Sequence, residues 1–272
     1  MWSPETLHIG LSTQRLVFAE TKKMWPGKVA TCDSIFCAET ADAEPWRPAV
    51  AALTRLLAAK RKANPTQTPT LRIVLSGRFV RWQLLPWHPE LTQPKERVAY
   101  AKLSFRETFG NVVEDWQIQL PPQPPNQTMP ACAIDSALLA ALHTTCKDAG
   151  AHLVAVMPYF SSAFDRWRNT LKGKAAWFGL VEADCLSLGL LHGGSWVGLR
   201  THRLDEDWRD VLPGMMAQIG IPNSLEDTTP SVYLAGDGEP PASSTGAVPF
   251  TWLQPAAQAK PGKVGCRMAL GI

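Results

Sequence analysis

The sequence lacks the features that mark membrane-inserted and exported proteins. No stretch reaches the roughly 18 consecutive apolar residues that a membrane-spanning helix needs. The first residues, Met1 to Glu5, include neither a basic segment nor the apolar segment of a secretory signal. We therefore expect a protein that is neither inserted in a membrane nor exported by the classical route.

An excess of charge of one sign is also missing. The chain has 272 residues, with 27 Lys and Arg against 24 Asp and Glu, and charged residues make up only 19% of it. The formal net charge of +3 is too small to favour a nucleic-acid-binding or membrane-surface protein. Hydrophobic residues at 45% lie in the globular range, so the chain is long enough to bury a substantial core.

The six cysteines show no spacing that suggests a metal site. They form neither a C-x-x-C motif nor a Cys/His cluster, and they occur at positions 32, 37, 132, 146, 185 and 266. Because the chain shows no export signal, cysteines scattered in apolar contexts favour reduced, buried thiols and a cytoplasmic location. The sequence also contains no P-loop, G-x-G-x-x-G, H-E-x-x-H or G-x-S-x-G motif. We therefore expect no metal, no cofactor and no catalytic residues.

One order of elements occurs twice along the chain. Alternating apolar residues predict three strands within Leu7–Phe36, an amphipathic helix around Leu53, and a buried strand at Leu71–Leu75. The same β-β-β-α-β order returns within residues 176–235, where Gly193-Gly194 is typical of a hairpin turn. Such a half-domain is typical of ribonuclease H-like folds, and its duplication is the plan of actin-like ATPases. The fold class predicted is therefore α/β, a duplicated ribonuclease H-like fold.

The predicted boundaries follow from this repeat. Residues 1–75 form the first ribonuclease H-like subdomain, 76–150 an inserted α/β subdomain, 151–254 the second ribonuclease H-like subdomain, and 255–272 a tail. Within the insertion, a helix over Pro94–Phe109 is expected to turn Val98, Ala101, Leu103 and Phe105 inward.

The middle of the chain resembles the pilus-assembly protein family PilM and the related cytoplasmic region of the secretion protein GspL. A strand ending in small residues leads to a second strand that ends in Leu-Pro, then to a helix, an edge strand, a strand running into a helix, and an Ala-Gly turn into a further strand. The corresponding segments are Ile73 to Gly77, Gln83 to Pro86, Glu96 to Phe109, Asp115 to Leu120, Ala131 to Lys147 and Ala149 to Pro158. The resemblance implies an actin-like fold.

The sequence departs from that family where actin-like ATPases bind phosphate. The first turn, Ser12-Thr13-Gln14, has no acid, and the second, Glu182-Ala183-Asp184, has acids but no glycine. Gly236 and Gly238 flank Asp237 after a buried strand, where they could face a ligand or simply form a turn. The stretch between Ile219 and Tyr233 is too short for the subdomain that roofs the nucleotide. Ser12, Thr13, Glu182, Asp184, Gly236 and Gly238 are therefore vestigial phosphate-turn candidates.

The sequence leaves two functions open and disfavours a third. The resemblance implies a non-enzymatic cytoplasmic scaffold of a type IV pilus or type II secretion-like machine, which binds protein partners of an inner-membrane assembly and no nucleic acid. The alternative is an actin-like protein that still binds ATP. A ribonuclease H-like nuclease is disfavoured, because the strand Leu7 to Ser12 has no carboxylate for metal binding.

Tryptophan is the residue type most suited to a partner surface in this chain. The sequence has 11 Trp against 3 Tyr, and Trp82, Trp87 and Trp116 lie in the inserted unit. Along Phe79 to Leu85, residues 80, 82 and 84 share one strand face. We predict Trp82, Trp87 and Trp116 as partner-binding candidates; the alternative is that Trp82 belongs to the core and Trp87 caps the sheet edge.

Overall fold

Three β-sheets organise the part of the chain that the computed structural model describes, residues 6–24, 27–37, 44–122, 125–221, 229–237, 248–254 and 266–271. Two five-stranded sheets correspond to the two copies of the predicted repeat, and a three-stranded sheet lies in the insertion. Within this described part, no helix combines the length and apolar character needed to cross a bilayer.

The first sheet has the strand order β3-β2-β1-β4-β8. Strand β1 runs antiparallel to β2 and parallel to β4. Leucine and isoleucine side chains on one face of β1 and β4 pack against helices α1 and α3 in one continuous core. The elements are β1 (Thr6–Leu11), β2 (Arg15–Met24), β3 (Gly27–Phe36), α1 (Arg47–Ala63), β4 (Thr70–Leu75), α3 (Ser136–Asp148) and β8 (His152–Pro158).

The second sheet repeats this arrangement with the order β11-β10-β9-β12-β13. Strand β9 is antiparallel to β10 and parallel to β12, as β1 is to β2 and β4. Helix α4 packs between the two large sheets, and α5 covers the far face of the second. The elements are α4 (Tyr159–Leu171), β9 (Ala176–Val181), β10 (Cys185–His192), β11 (Ser195–Arg203), α5 (Trp208–Ile219), β12 (Ser231–Gly236) and β13 (Thr251–Trp252). The predicted duplicated order is confirmed.

The inserted unit is a small sheet of order β5-β7-β6 with a helix on one face. It comprises a 3₁₀ turn (Gly77–Phe79), β5 (Val80–Leu85), α2 (Pro94–Phe109), a second 3₁₀ turn (Gly110–Asp115), β6 (Trp116–Gln119) and β7 (Met129–Asp135). Ala101 and Phe105 are the buried residues of α2. The expectation that Val98 and Leu103 point inward is wrong, since they are 44% and 55% exposed. A helix lying on a small sheet buries only a narrow stripe.

The predicted boundary at residue 151 is also wrong. Strand β8 pairs in parallel with β4, with His152 opposite Thr70, and therefore belongs to the first sheet. Helix α3 likewise packs on α1 rather than on the insertion alone. The chain thus leaves the first sheet after β4, builds the inserted sheet, and returns through α3 and β8. A parallel neighbour needs a crossover helix, which α3 supplies.

Part of the segment predicted as a tail packs against the first sheet. Residues 255–265 and 272 lie outside the described residues, but Arg267–Leu270 forms helix α6, with Met268 and Ala269 buried beside β1. Gly10 permits this close approach, because a Cβ there would lie 2.8 Å from Cγ of Met268. A disulfide joins Cys32 to Cys266, so the expectation of six reduced thiols is wrong for this pair. The tertiary fold brings their Cα atoms within 6.2 Å across 234 positions of sequence.

Candidate functional site

Two turns from the two large sheets meet between them. The turn after β1 carries Ser12 and Thr13, and the turn after β9 carries Glu182 and Asp184. The Thr13 hydroxyl donates a hydrogen bond directly to the Asp184 carboxylate. Arg78, from the 3₁₀ turn after β4, places its Nε 3.6 Å from Oδ2 of the same carboxylate. Thr13 and Asp184, two of the predicted candidates, are therefore in contact.

Glu182 lies deeper in the same junction. It is 7% exposed, and its Oε1 accepts hydrogen bonds from the Gly77 backbone N–H at 2.9 Å and from the Cys185 thiol at 3.3 Å. Its Oε2 has no hydrogen-bond partner among the described residues. Burial raises the pKa of Glu182 to about 7, and the nearby Asp184 charge acts in the same direction. The junction thus holds a carboxyl group that titrates near neutrality.

Gly236 and the following Asp237 close the end of the second sheet. A Cβ on Gly236 would lie 2.4 Å from the Val181 carbonyl oxygen, so the tight pairing of β12 with β9 requires glycine there. Asp237 Oδ2 forms an ion pair with Arg15 at 2.9 Å, and Oδ1 accepts a hydrogen bond from the Met268 backbone N–H at 2.8 Å. Burial raises the pKa of Asp237 even though Arg15 lowers it. Gly238 lies outside the described residues.

A groove runs between the inserted sheet and the body of the protein. Its larger part, about 500 Å³, is bounded by the inner face of the inserted sheet, by α4 and by β11, and a further part of about 300 Å³ continues along the edge strand β8. The two parts share the lining residues Gln119, Cys132, Val156 and Pro158. Most of the other lining side chains are apolar, including Val154, which is 46% exposed. We call this the apolar groove.

Trp82 forms part of the wall of the apolar groove. The side chain is half-buried and packs edge-to-face on Phe160 of α4, with ring centroids 5.9 Å apart. Its indole N–H has no hydrogen-bond partner among the described residues. Trp116 packs against Phe105 and Phe109 on the α2 side of the inserted sheet. Neither Trp116 nor the half-buried Trp87 lines the apolar groove, so the structure does not bring the three tryptophans together.

The fold agrees with that of solved structures of low sequence identity. The cytoplasmic domain of EpsL, an inner-membrane component of the type II secretion system of Vibrio cholerae, is 12% identical, with a TM-score of 0.59 over 98% of this chain and 95% of that one. A PilM–PilN type IV pilus biogenesis complex gives 15% identity and a TM-score of 0.60 over 98% and 97%. A Bacteroides thetaiotaomicron protein described as having an actin-like ATPase fold gives 13% and 0.56 over 88% and 83%.

This chain has the actin-like ATPase fold. The predicted fold class, and the predicted resemblance to PilM and the GspL cytoplasmic region, are confirmed at the level of fold. No protein-family model matches the sequence, and no curated protein matches it. At these identities the similarity describes architecture, so the chemistry has to be argued from this chain's own residues.

The turns that would hold a nucleotide in an actin-like fold do not fit one here. Phosphate binding needs backbone N–H groups aimed at the anion. The Gly77 N–H is instead bound to Glu182, while the N–H groups of Ser12 and Glu182 donate to the carbonyls of Arg15 and Cys185. The Thr13–Asp184 contact also occupies the space between the turns. A triphosphate would have to break that contact and lie beside two carboxylates.

Several residues of this junction were missed by sequence reasoning. Arg78 contacts Asp184, Cys185 contacts Glu182 and Arg15 pairs with Asp237, yet no motif marks Arg15, Arg78 or Cys185. Asp237 differs, because its flanking glycines single it out in the sequence. Arg15 and Asp237 are 222 positions apart, so only the packing of one sheet on the other places them together. The one usable signal is polarity, because Ser76 and Gly77 interrupt an otherwise apolar run at the end of β4.

Proposed function

We propose that this protein is a non-enzymatic cytoplasmic scaffold of a type IV pilus or type II secretion-like assembly. We further propose that its apolar groove binds a short segment of an inner-membrane partner protein. The observation that carries the proposal is the groove itself, beside which the Trp82 indole N–H has no acceptor among the described residues. In the same fold, the turns of Thr13 and Asp184, where phosphate would bind, are in mutual contact. The fold supports the same role, since both EpsL and the PilM–PilN complex belong to such assemblies.

The chemistry of the groove favours an apolar peptide. The half-buried side chains of Val156, Met157 and Phe164 offer contact area of the kind that anchors protein interfaces. A backbone carbonyl of the bound segment could accept a hydrogen bond from the buried Trp82 indole N–H, for which no described residue provides an acceptor. Trp82 is therefore the candidate anchor, while Trp87 and Trp116 remain predicted contacts outside the groove.

The junction supports the absence of ATPase activity in this proposal. Ser12 stands where an acid would position a metal ion, and Asp184 already interacts with Thr13 and Arg78. The proposal includes no nucleotide, no metal, no nucleic acid and no insertion into the membrane. Association with the inner membrane would come only through partners.

Site-specific photo-crosslinking in the native host tests this function. A photoreactive amino acid replaces Val154, which lines the groove, and in a matched control it replaces Val112, which is similarly exposed (50%) but lies outside the groove. We expect the residue at 154 alone to crosslink to the cytoplasmic segment of an inner-membrane component of a pilus or secretion machine. No crosslink at 154, or one to an unrelated soluble enzyme, would contradict the proposal.

A charge substitution checks that the groove is the site of capture. Val154→Asp places a carboxylate in the groove wall, while Val112→Asp places one on exposed surface elsewhere. We expect Val154→Asp to weaken partner binding by at least about tenfold, or about 1.4 kcal/mol, and Val112→Asp to leave it unchanged. Equal binding by both variants would exclude the groove.

A further inference from the structure

A second large cleft lies on the other side of β5, between the inserted unit and the second sheet. It encloses about 690 Å³ and is bounded by β5, the end of α2, β11 and α5. We call it the basic cleft, because its described lining residues include four arginines and a histidine but no Asp or Glu. The cationic residues are Arg78, Arg81, Arg200, His202 and Arg203.

Two of the four arginines have no acidic partner in the described part of the chain. Arg78 lies near Asp184, and Arg203 forms an ion pair with Asp205 at 3.0 Å. Among the described residues, neither Arg81 nor Arg200 forms an ion pair; the Arg81 guanidinium donates only to backbone carbonyls, at 3.1 and 3.2 Å. Burial and the neighbouring Arg78 charge both lower the pKa of Arg81. An anion bound in the cleft would offset the repulsion between the positive charges of Arg78 and Arg81.

The walls of the cleft are built from two sheet edges. Strand β5 ends the inserted sheet and β11 ends the second sheet. The two strands lie beside each other, but no ladder joins them among the described residues. Such edges present a row of backbone N–H and C=O groups that an extended peptide can pair with.

Side chains on both faces of β11 contribute to the cleft. Arg200 and His202 share the strand face of Gly198, where a Cβ would meet Ile219 of α5. Thr201 and Arg203 lie on the opposite face, with the Thr201 hydroxyl 2.9 Å from that of Ser187. An extended chain along this edge would therefore meet arginine on both of its own faces.

Gln83 distinguishes a peptide from a small anion. Its side-chain amide N–H groups donate to the Ser104 carbonyl and hydroxyl at 3.1 and 2.7 Å, which fixes the orientation of the amide. The side-chain oxygen of Gln83, Oε1, is then buried in the cleft wall and has no hydrogen-bond partner among the described residues. A phosphate or free carboxylate offers only acceptors, whereas a peptide also brings N–H donors.

We propose that the basic cleft binds an extended acidic segment of a partner protein. The cleft adjoins the apolar groove, with which it shares the lining residues Trp82 and Leu199. The carboxylates of the acidic segment would pair with Arg81 and Arg200, and its backbone would lie along the edges of β5 and β11. Guanidinium groups suit this role because they bind carboxylates in a bidentate manner. The inference does not depend on the apolar groove being occupied.

Fluorescence anisotropy with a labelled peptide of alternating glutamate and valine, added to the full chain at low ionic strength, tests the inference. We expect saturable binding to the wild type, at least about tenfold weaker binding to Arg200→Glu and Arg81→Glu, and unchanged binding to Arg55→Glu. Arg55 is a matched control, because it is an exposed arginine on α1 outside the cleft. Unchanged melting temperatures of the variants would show that folding is intact.

A competition experiment with the labelled peptide distinguishes a peptide-binding site from a site for a small anion. We expect inorganic phosphate and free glutamate to displace the peptide only at concentrations where salt of equal ionic strength does the same. The proposal would be overturned by the absence of peptide binding, by equal weakening in Arg55→Glu, or by tight phosphate binding that Arg200→Glu abolishes.

Discussion

The Thr13 hydroxyl donates a hydrogen bond to the Asp184 carboxylate, which joins two turns that lie 171 positions apart in the sequence. In this fold these turns belong to equivalent strands, β1 and β9, of the two large sheets. The contact closes the space between the sheets at the point where a nucleotide's phosphates would lie. Because this hydrogen bond joins the turns directly, it also stabilises the packing of the two sheets when no ligand is bound.

MgATP is expected to leave the protein unaffected. A ligand present at a hundred times its Kd would add about 2.7 kcal/mol to the free energy of unfolding and raise the melting temperature by several degrees. We expect no such shift in thermal denaturation, and no heat of binding in calorimetry, at millimolar MgATP. Micromolar affinity would show that the turns open and that the alternative, a nucleotide-binding actin-like protein, is correct.

The stability of the fold should fall as the pH rises through the range in which Glu182 titrates. The pKa of Glu182 is raised from its usual 4.5 to about 7 in the folded state, so between these values the folded protein keeps a proton that the unfolded chain has lost. The unfolded state binds fewer protons there, and stability declines with pH. Glu182→Gln removes this charge while keeping the shape and the acceptor oxygen.

Chemical denaturation between about pH 5 and about pH 8 measures this effect. We expect Glu182→Gln to gain stability relative to wild type as pH rises, by about 2–3 kcal/mol over the range. Glu114→Gln is the control, because Glu114 is exposed and Lys102 lowers its pKa, so its titration lies below this window. A flat difference between wild type and Glu182→Gln would contradict the assignment.

Gly236→Ala should destabilise the protein although it adds a single methyl group. The new Cβ would lie 2.4 Å from the Val181 carbonyl oxygen, and backbone atoms in a paired strand cannot retreat without disturbing the ladder. We expect a loss of about 1–3 kcal/mol in the free energy of unfolding.

Gly214→Ala provides the matched comparison. Gly214 lies within α5, and nothing lies within 4 Å of a Cβ placed there, so alanine should stabilise by about 0.5–1 kcal/mol. Urea denaturation of both variants measures the two changes. If Gly236→Ala were neutral, Gly236 would not be required for strand packing and a ligand-facing role would regain support.

Reduction of the Cys32–Cys266 disulfide is expected to lower the melting temperature by several degrees. The bond ties β3 to the start of α6, and a crosslink of this kind contributes about 2–4 kcal/mol. Calorimetry with and without reductant measures the change, and the Cys32→Ser, Cys266→Ser double variant should show no further response to reductant. Alkylation of the denatured wild type without reductant should modify the four free cysteines, Cys37, Cys132, Cys146 and Cys185. Modification of all six would show that the disulfide is absent.

Local patterns in the sequence were sufficient to predict most of the elements and their order, but not helix α6. Alternating apolar residues define β1 and β9, and Gly193-Gly194, with φ of 58° and 82°, forms the predicted hairpin turn between β10 and β11. Asp135 caps α3 by accepting the Ala137 backbone N–H at 2.7 Å. These features depend on neighbouring residues, so a single sequence is enough to reveal them.

The sequence predicted only some of the residues that α2, the helix of the inserted unit, buries. Val98 lies three positions before Ala101, near the edge of the buried stripe, whereas Leu103 lies two positions after Ala101 on the opposite side of the helix. The helix packs on three short strands and buries Ala101 and Phe105. The width of the surface that a helix covers depends on its neighbour, which the helix's own periodicity does not specify.

The candidate site was decided by tertiary structure. The sequence positions after two equivalent strands were enough to propose Ser12, Thr13, Glu182 and Asp184 as site residues. The direct contact between the two turns, from Thr13 to Asp184, could not be predicted from those positions. The return of β8 to the first sheet, the Arg15–Asp237 ion pair and the Cys32–Cys266 disulfide likewise join residues far apart along the chain. Both clefts lie between units rather than within them. The sequence by itself determined the local elements because their hydrogen bonds and apolar spacing are local, whereas contacts across sheets depend on how whole surfaces pack, which no short stretch of residues encodes.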